Sequence, residues 1–160
     1  PKKKNESTTM DLIRKADANW KGSLENGHGL VSSHSHALAE ERYSFGERTA
    51  DGSKATNPEE LLSASAASCF AMALSKTLGD RGHTAEKLKV LGETTLSLRD
   101  SGPKVTRLEL SVEGMVPDLD EESFRSAVDE TVGGCPLVQL LRPGLEDFAV
   151  NASLVPPTAG

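Results

Sequence analysis

The sequence predicts an α+β domain in which sheet packs against one long central helix, and three observations lead there. The stretch from Asn57 to Thr77 reads as a helix whose interior, Leu61 to Leu74, carries no charge; a helix neutral all round must be covered on its sides. From Val105 to Val116 the chain alternates, with Thr106, Leu108, Leu110 and Val112 on one side and Arg107, Glu109, Ser111 and Glu113 on the other. That is a strand in a sheet with one wet face. The elements follow one another as β-β-β-α-β-β-α-α-β, without the regular alternation of a doubly wound fold.

Taken in order, residues 1–9 read as a solvated tail and Met10 to Ala16 as a short helix or extended arm, so residues 1–15 are expected to lie outside the domain. Asp17 to Leu24, Gly29 to Ser33 and Glu41 to Phe45 are short strands of an antiparallel meander, with Glu25-Asn26-Gly27 turning the first hairpin. The long helix opens at Asn57-Pro58-Glu59-Glu60, where Asn can cap, Pro suits the first helical position and the acids suit the first turn. Gly79 or Gly82 can end it. Glu86 to Leu98 and Val105 to Val116 are long strands joined by the turn-rich Arg99-Asp100-Ser101-Gly102-Pro103. Pro117 to Glu121 opens a helix with Phe124, Ala127, Val128 and Val132 on one stripe, ended by Gly133-Gly134. A short helix, Pro136 to Leu141, and a last strand, Asp147 to Leu154, complete the chain. No repeat and no long linker divides it, so residues 16–160 are expected to form one domain, large enough to bury a core without disulfide staples.

Composition narrows the function. The net charge is −6 and the one basic run is Lys2-Lys3-Lys4, so no basic stripe is present to track a nucleic-acid backbone. The start lacks an apolar export core, and the longest uncharged stretch, Leu61 to Ser75, is too short and serine-rich to span a bilayer. A cytosolic protein without membrane association is expected. In that reducing setting, a cysteine pair is more often catalytic, sensing or metal-binding than a permanent staple.

The two cysteines, Cys69 and Cys135, are therefore the candidates for chemistry. A buried small hydrophobe is the commoner role for a free cysteine. Neither has a second cysteine or histidine at ligand spacing, so a metal is disfavoured; His34-Ser35-His36 has no evident third ligand and reads as surface histidine. No histidine stands in a motif for a cysteine–histidine hydrolase. Cys69, in an apolar helix, needs a cation to ionise, and none lies three or four residues away. Glu59 is roughly 15 Å up the same helix axis, at 1.5 Å per residue. Cys135 follows two glycines and precedes Pro136, which makes it a helix N-cap and, on local electrostatics alone, the more acidic thiol.

Three segments carry a resemblance: Thr56-Asn57-Pro58-Glu59-Glu60-Leu61-Leu62, Ala66-Ala67-Ser68-Cys69-Phe70-Ala71-Met72-Ala73-Leu74 and Gly134-Cys135-Pro136-Leu137-Val138-Gln139-Leu140-Leu141. Together they resemble the OsmC/Ohr family of organic hydroperoxide peroxidases. Asn19-Trp20-Lys21-Gly22 and Tyr43-Ser44-Phe45-Gly46-Glu47-Arg48 extend the likeness and resemble the OsmC branch more than the Ohr branch. The resemblance implies an OsmC-like fold, with antiparallel sheets wrapped around a long central helix, in an intertwined homodimer with sites at the subunit interface. It implies that Cys69 is the peroxidatic cysteine, Cys135 the resolving one, Arg48 the cation holding the thiolate and Glu59 the carboxylate orienting Arg48. It thereby reverses the local ranking of the two thiols. Phe45, Leu61, Phe70 and Met72 are candidates for an alkyl-binding pocket. No cofactor or metal is implied; a small dithiol of the lipoyl type is the expected reductant. Two other readings stand beside the peroxidase: a thiol redox sensor without turnover, and a carrier for an apolar ligand with structural cysteines.

Overall fold

A three-stranded meander forms where the N-terminal turn signals place it. The structure, a computed structural model, describes residues 9–156, so most of the expected tail lies outside the described residues. The chain divides into two compact units, residues 1–57 and 58–160. In the first, β1 (Ala16–Ala18), β2 (Gly29–Ser33) and β3 (Glu41–Tyr43) pair antiparallel in chain order. The first strand is shorter than the expected Asp17 to Leu24: regular pairing stops at Ala18, and one further bridge joins Lys21 to His28. Residues 9–15 run as an exposed arm without regular structure. The Tyr43 ring lies over Gly29, where a Cβ would come within 2.4 Å of it. Its hydroxyl donates to the Asn19 carbonyl at 2.7 Å and its ring meets Trp20 at 5.7 Å between centroids. Gly29 is thus required by a close approach.

β3 is followed by a short helix, α1 (Phe45–Thr49), where the sequence reading continued the strand to Phe45. The cause is local. The Ser44 hydroxyl accepts from the Glu47 N–H at 3.2 Å, and the Ser44 and Glu47 side chains meet at 2.7 Å. Ser44-Phe45-Gly46-Glu47 is a capping box, whose Ser-x-x-Glu spacing starts a helix.

The second unit is built on α2 (Pro58–Asp80), β4 (Lys87–Arg99) and β5 (Gly102–Met115). After Asp80 the helix closes on Gly82, at φ 83°: the Gly82 N–H donates to the Gly79 carbonyl at 3.0 Å and the His83 N–H to the Leu78 carbonyl at 2.9 Å. This is the Schellman ending that a glycine at positive φ permits. One stripe of α2, Ala66, Phe70, Leu74 and Leu78, is fully buried against the inner face of the sheet. At about 1.5–3 kcal/mol for each large apolar side chain buried, this packing rather than helix propensity holds α2. Its 23 residues and mean hydropathy of 1.3 are sufficient on length and composition to cross a bilayer, but here it serves as the core helix of the unit. The opposite stripe, Ala64, Ser65, Ser68, Met72 and Ser75, is exposed. Burial on every side is therefore not reached within one chain, because a single sheet covers a single face.

β4 and β5 pair antiparallel through a bulge at Thr95–Leu96, and Thr106, Leu108, Leu110 and Val112 face the core as the alternation predicts. After β5 come α3 (Glu121–Gly134), α4 (Pro136–Leu141), a 3-10 turn and β6 (Asp147–Leu154). β6 runs parallel to β5, which corrects the expectation of purely antiparallel sheets. The connection explains it: two helices intervene, and a helical crossover returns the chain in the same direction. Asp120 caps α3, accepting from the Ser123 N–H at 2.8 Å, and the helix buries Phe124, Ala127, Val128 and Thr131. Thr131 takes the place expected for Val132, which is only partly buried.

Two close features of this unit have measurable consequences. A Cβ on Gly92 would lie 2.8 Å from the Ser63 carbonyl oxygen, and the Ser63 and Thr94 hydroxyls meet at 2.7 Å, so α2 sits directly on β4 here. Gly92→Ala is expected to lower unfolding stability by about 1–3 kcal/mol, as overpacking does; denaturant unfolding checks this. Glu146 receives two bonds from Arg99, at 2.9 and 2.7 Å, and one from Lys104 at 2.9 Å, which hold its carboxyl well below its ordinary range, at about 2. A depressed folded value stabilises above the ordinary value of 4.5 and is lost as pH falls through about 2. The Tm difference between wild type and Glu146→Gln should therefore be constant above pH 4.5 and shrink toward zero near pH 2.

Candidate active site

The packing of α2 decides where Cys69 points. It neighbours the buried Phe70 and is itself half-buried, at the edge of the core cluster that contains Cys135. Cys135 is both the last cap of α3 and the N-cap of α4. Its N–H donates to the Thr131 carbonyl at 2.9 Å and its carbonyl accepts from the Gln139 N–H at 3.0 Å, so both neighbours fix its backbone. Its side chain is fully buried and makes no full capping hydrogen bond. The two cysteines are reduced, and Cys69 packs against the core cluster that holds Cys135, close enough for the two thiols to interact.

Burial pushes the Cys135 thiol up from its ordinary value of 9.0; the Val138 N–H pulls the other way, and the adjacent Cys69 pushes it up further. The N-terminus of a six-residue helix therefore does not make Cys135 an acidic thiol: desolvation outweighs its partial positive charge. Cys135 is a protonated thiol waiting in the core. Cys69, partly open to the outside, is the sulfur that an incoming molecule meets first.

Glu59 lies in the first turn of α2. Arg48, half-buried, occupies the last turn of α1 in the first unit, and its N–H donates to the Ser44 carbonyl at 2.9 Å. Arg48 is set by a helix, and the signal that points to that helix is the Ser44–Glu47 capping box. Of the pocket candidates, Phe70 is wholly consumed by the core, Leu61 and Phe45 are half-buried, and Met72 is 69% exposed on the uncovered stripe of α2. His34 and His36 line a surface depression with Asp17 and Glu40. Among the described residues, no three His, Cys, Asp or Glu side chains form a metal-ligating group.

Two cysteines distant in sequence thus share one core, Cys135 within it and Cys69 at its edge. The profile of the OsmC-like protein family matches residues 50–146, and the chain belongs to that family. It is 37% identical over 133 residues to the peroxiredoxin OsmC of Escherichia coli (strain K12), covering 83% of this chain and 92% of that protein; the same figures hold for the peroxiredoxin OsmC of Shigella flexneri. Among solved structures, it is similar to the organic hydroperoxide resistance protein OhrB of Bacillus subtilis, with TM-score 0.64 and 25% identity, covering 88% of this chain and 98% of that one. An organic hydroperoxide resistance protein from Elizabethkingia anophelis shares the fold at TM-score 0.63 and 22% identity, covering 90% of this chain and 100% of that one.

The geometry orders the two thiols by reactivity toward reagents in solution. At neutral pH, limiting iodoacetamide should label Cys69 well before Cys135 in the reduced protein, as read by peptide mass mapping. Equal labelling would contradict the burial that keeps Cys135 protonated.

Proposed function

We propose that this chain is a cysteine-based peroxidase that reduces organic hydroperoxides to alcohols, with Cys69 as the peroxidatic and Cys135 as the resolving cysteine. The observation that carries the reading is the meeting of a half-exposed and a fully buried thiol in one unit of an OsmC-family chain. The Cys69 thiolate attacks the distal oxygen of the peroxide. The O–O bond breaks, the alkoxide takes a proton and leaves as alcohol, and Cys69 becomes a sulfenic acid. The Cys135 thiol then condenses with it, forming the disulfide and releasing water. A small dithiol of the lipoyl type reopens the disulfide by exchange, itself becoming oxidised.

In this reading Arg48 neutralises the thiolate and Glu59 orients Arg48. A guanidinium suits that task because its fork can hold a carboxylate while another edge faces sulfur or peroxide oxygen. Phe45, Leu61 and Met72 are the candidates to contact the alkyl chain; Phe70 contributes only from behind, through the core that fixes Cys69. A homodimer in the cytosol belongs to the same reading, and the exposed neutral stripe Ala64, Ser65, Ser68, Met72 and Ser75 supports it, since a second copy would give α2 the cover that its own sheet does not.

Peroxide loss with an alkyl hydroperoxide and dihydrolipoamide tests the proposal. Wild type should turn over many times, Cys69→Ser not at all, and Cys135→Ser should consume a single equivalent and retain a sulfenic acid that dimedone traps. Full turnover by Cys69→Ser would exclude the mechanism; one equivalent consumed by wild type would point to a sensor, and none to a carrier.

A further inference from the structure

Thr131 and Thr77 form a buried polar contact that neither the fold nor the thiol chemistry described above requires. The Thr131 hydroxyl lies 3.0 Å from the Thr77 hydroxyl and 2.7 Å from the Ala127 carbonyl, and the Thr77 hydroxyl donates to the Ala73 carbonyl at 3.1 Å. Thr131 is fully buried and Thr77 half-buried. Neither hydroxyl is left unsatisfied, so the pair avoids the penalty of a lone polar group in a core.

Its place in the helix pairing is informative. Along α2 and the residue that follows it, the side chains Cys69, Thr77 and Arg81 come in that order. They meet Cys135, then Thr131, then Glu130 and Ser126, which run the opposite way along α3 and its cap. The two helices are therefore antiparallel and tied at three levels. Thr131 and Cys135 are joined by one helical turn through the Cys135 N–H to the Thr131 carbonyl, so whatever holds Thr131 also holds Cys135.

The apolar part of this contact, Phe124, Ala127 and Val128 against the core, is non-directional. A disulfide does not. Its Cβ atoms must approach to about 3.5–4.5 Å, while a slip of one residue moves a helix by about 1.5 Å along its axis. A directional hydroxyl pair one turn from the thiol adds to the Arg81 bonds a constraint on register at the thiol end of the contact.

We propose that Thr131, together with Thr77, is a positioning residue for the resolving step: it locks the axial register of α3 on α2 and so holds the Cys135 thiol against the Cys69 sulfenic acid. This rests on the peroxidase reading and adds to it the element that makes condensation fast. The step is the one already written: the Cys135 S–H and the Cys69 S–OH give an S–S bond and water, with no other reactant.

The test separates the two chemical steps. Reduced Thr131→Val, Thr131→Ser and Thr77→Val are each mixed with one equivalent of tert-butyl hydroperoxide. Peroxide loss reports attack by Cys69; dimedone trapping and free-thiol counts over time report condensation. In Thr131→Val, attack should stay within about twofold of wild type while condensation slows about tenfold or more, the scale of a misplaced reacting group. Thr131→Ser, which keeps the hydroxyl, should recover the wild-type rate, and Thr77→Val should repeat the valine effect; it carries the test should Thr131→Val fail to fold. Condensation at the wild-type rate in both valine variants overturns the positioning role and leaves the peroxidase intact. Absence of any sulfenic acid in wild type removes the peroxidase reading and this inference with it.

Discussion

The seat of α2 on its sheet governs the second unit. Ala66, Phe70, Leu74 and Leu78 set the rotation of the helix, because that stripe is the fully buried one and shares the core with Leu108, Leu110 and Val112. Gly92 lets the helix backbone at Ser63 come down onto β4, and the Ser63–Thr94 hydroxyl contact marks the crossing point. With rotation and height both fixed, Cys69 has one direction left to face: the edge of the core, where α3 ends and α4 begins. Its chemistry is inherited from a packing decision made by its neighbours.

Cys135 illustrates a competition between two physical effects. A helix N-terminus favours an anion near its free N–H groups, and Val138 and Leu137 do act on the thiol in that sense. Removing the sulfur from water opposes ionisation, and in this site it prevails. Burial thus leaves Cys135 a weaker acid than a free thiol despite its place at a helix start. Cys69 is half-buried and Cys135 wholly buried, so the two thiols differ in their access to solution.

Much of the architecture was legible in residue order. The long helix, its Pro58 start, the alternating strand through Leu110, the helix over Phe124 and the break at Cys135-Pro136 all rest on signals within a few residues of one another. The misses have physical causes. The capping box at Ser44 was overlooked because Tyr43 and Phe45 favour a strand on propensity alone, whereas the hydrogen bonds of Glu47 decide for a helix. The parallel direction of β6 is set by the crossover that precedes it, not by its own alternation.

By itself the sequence determined which residues could carry chemistry, since only two thiols exist and each sits beside an unmistakable helix signal. It also determined the family, because the motifs around Cys69 and Cys135 survive as contiguous strings. Tertiary structure alone decided that the two cysteines share one core, that burial raises the pKa of the one at the helix N-cap, and that Thr131 joins the fully buried stripe of α3. Those outcomes depend on desolvation and on contact between segments far apart in the chain, and neither quantity is a property of any local stretch of residues.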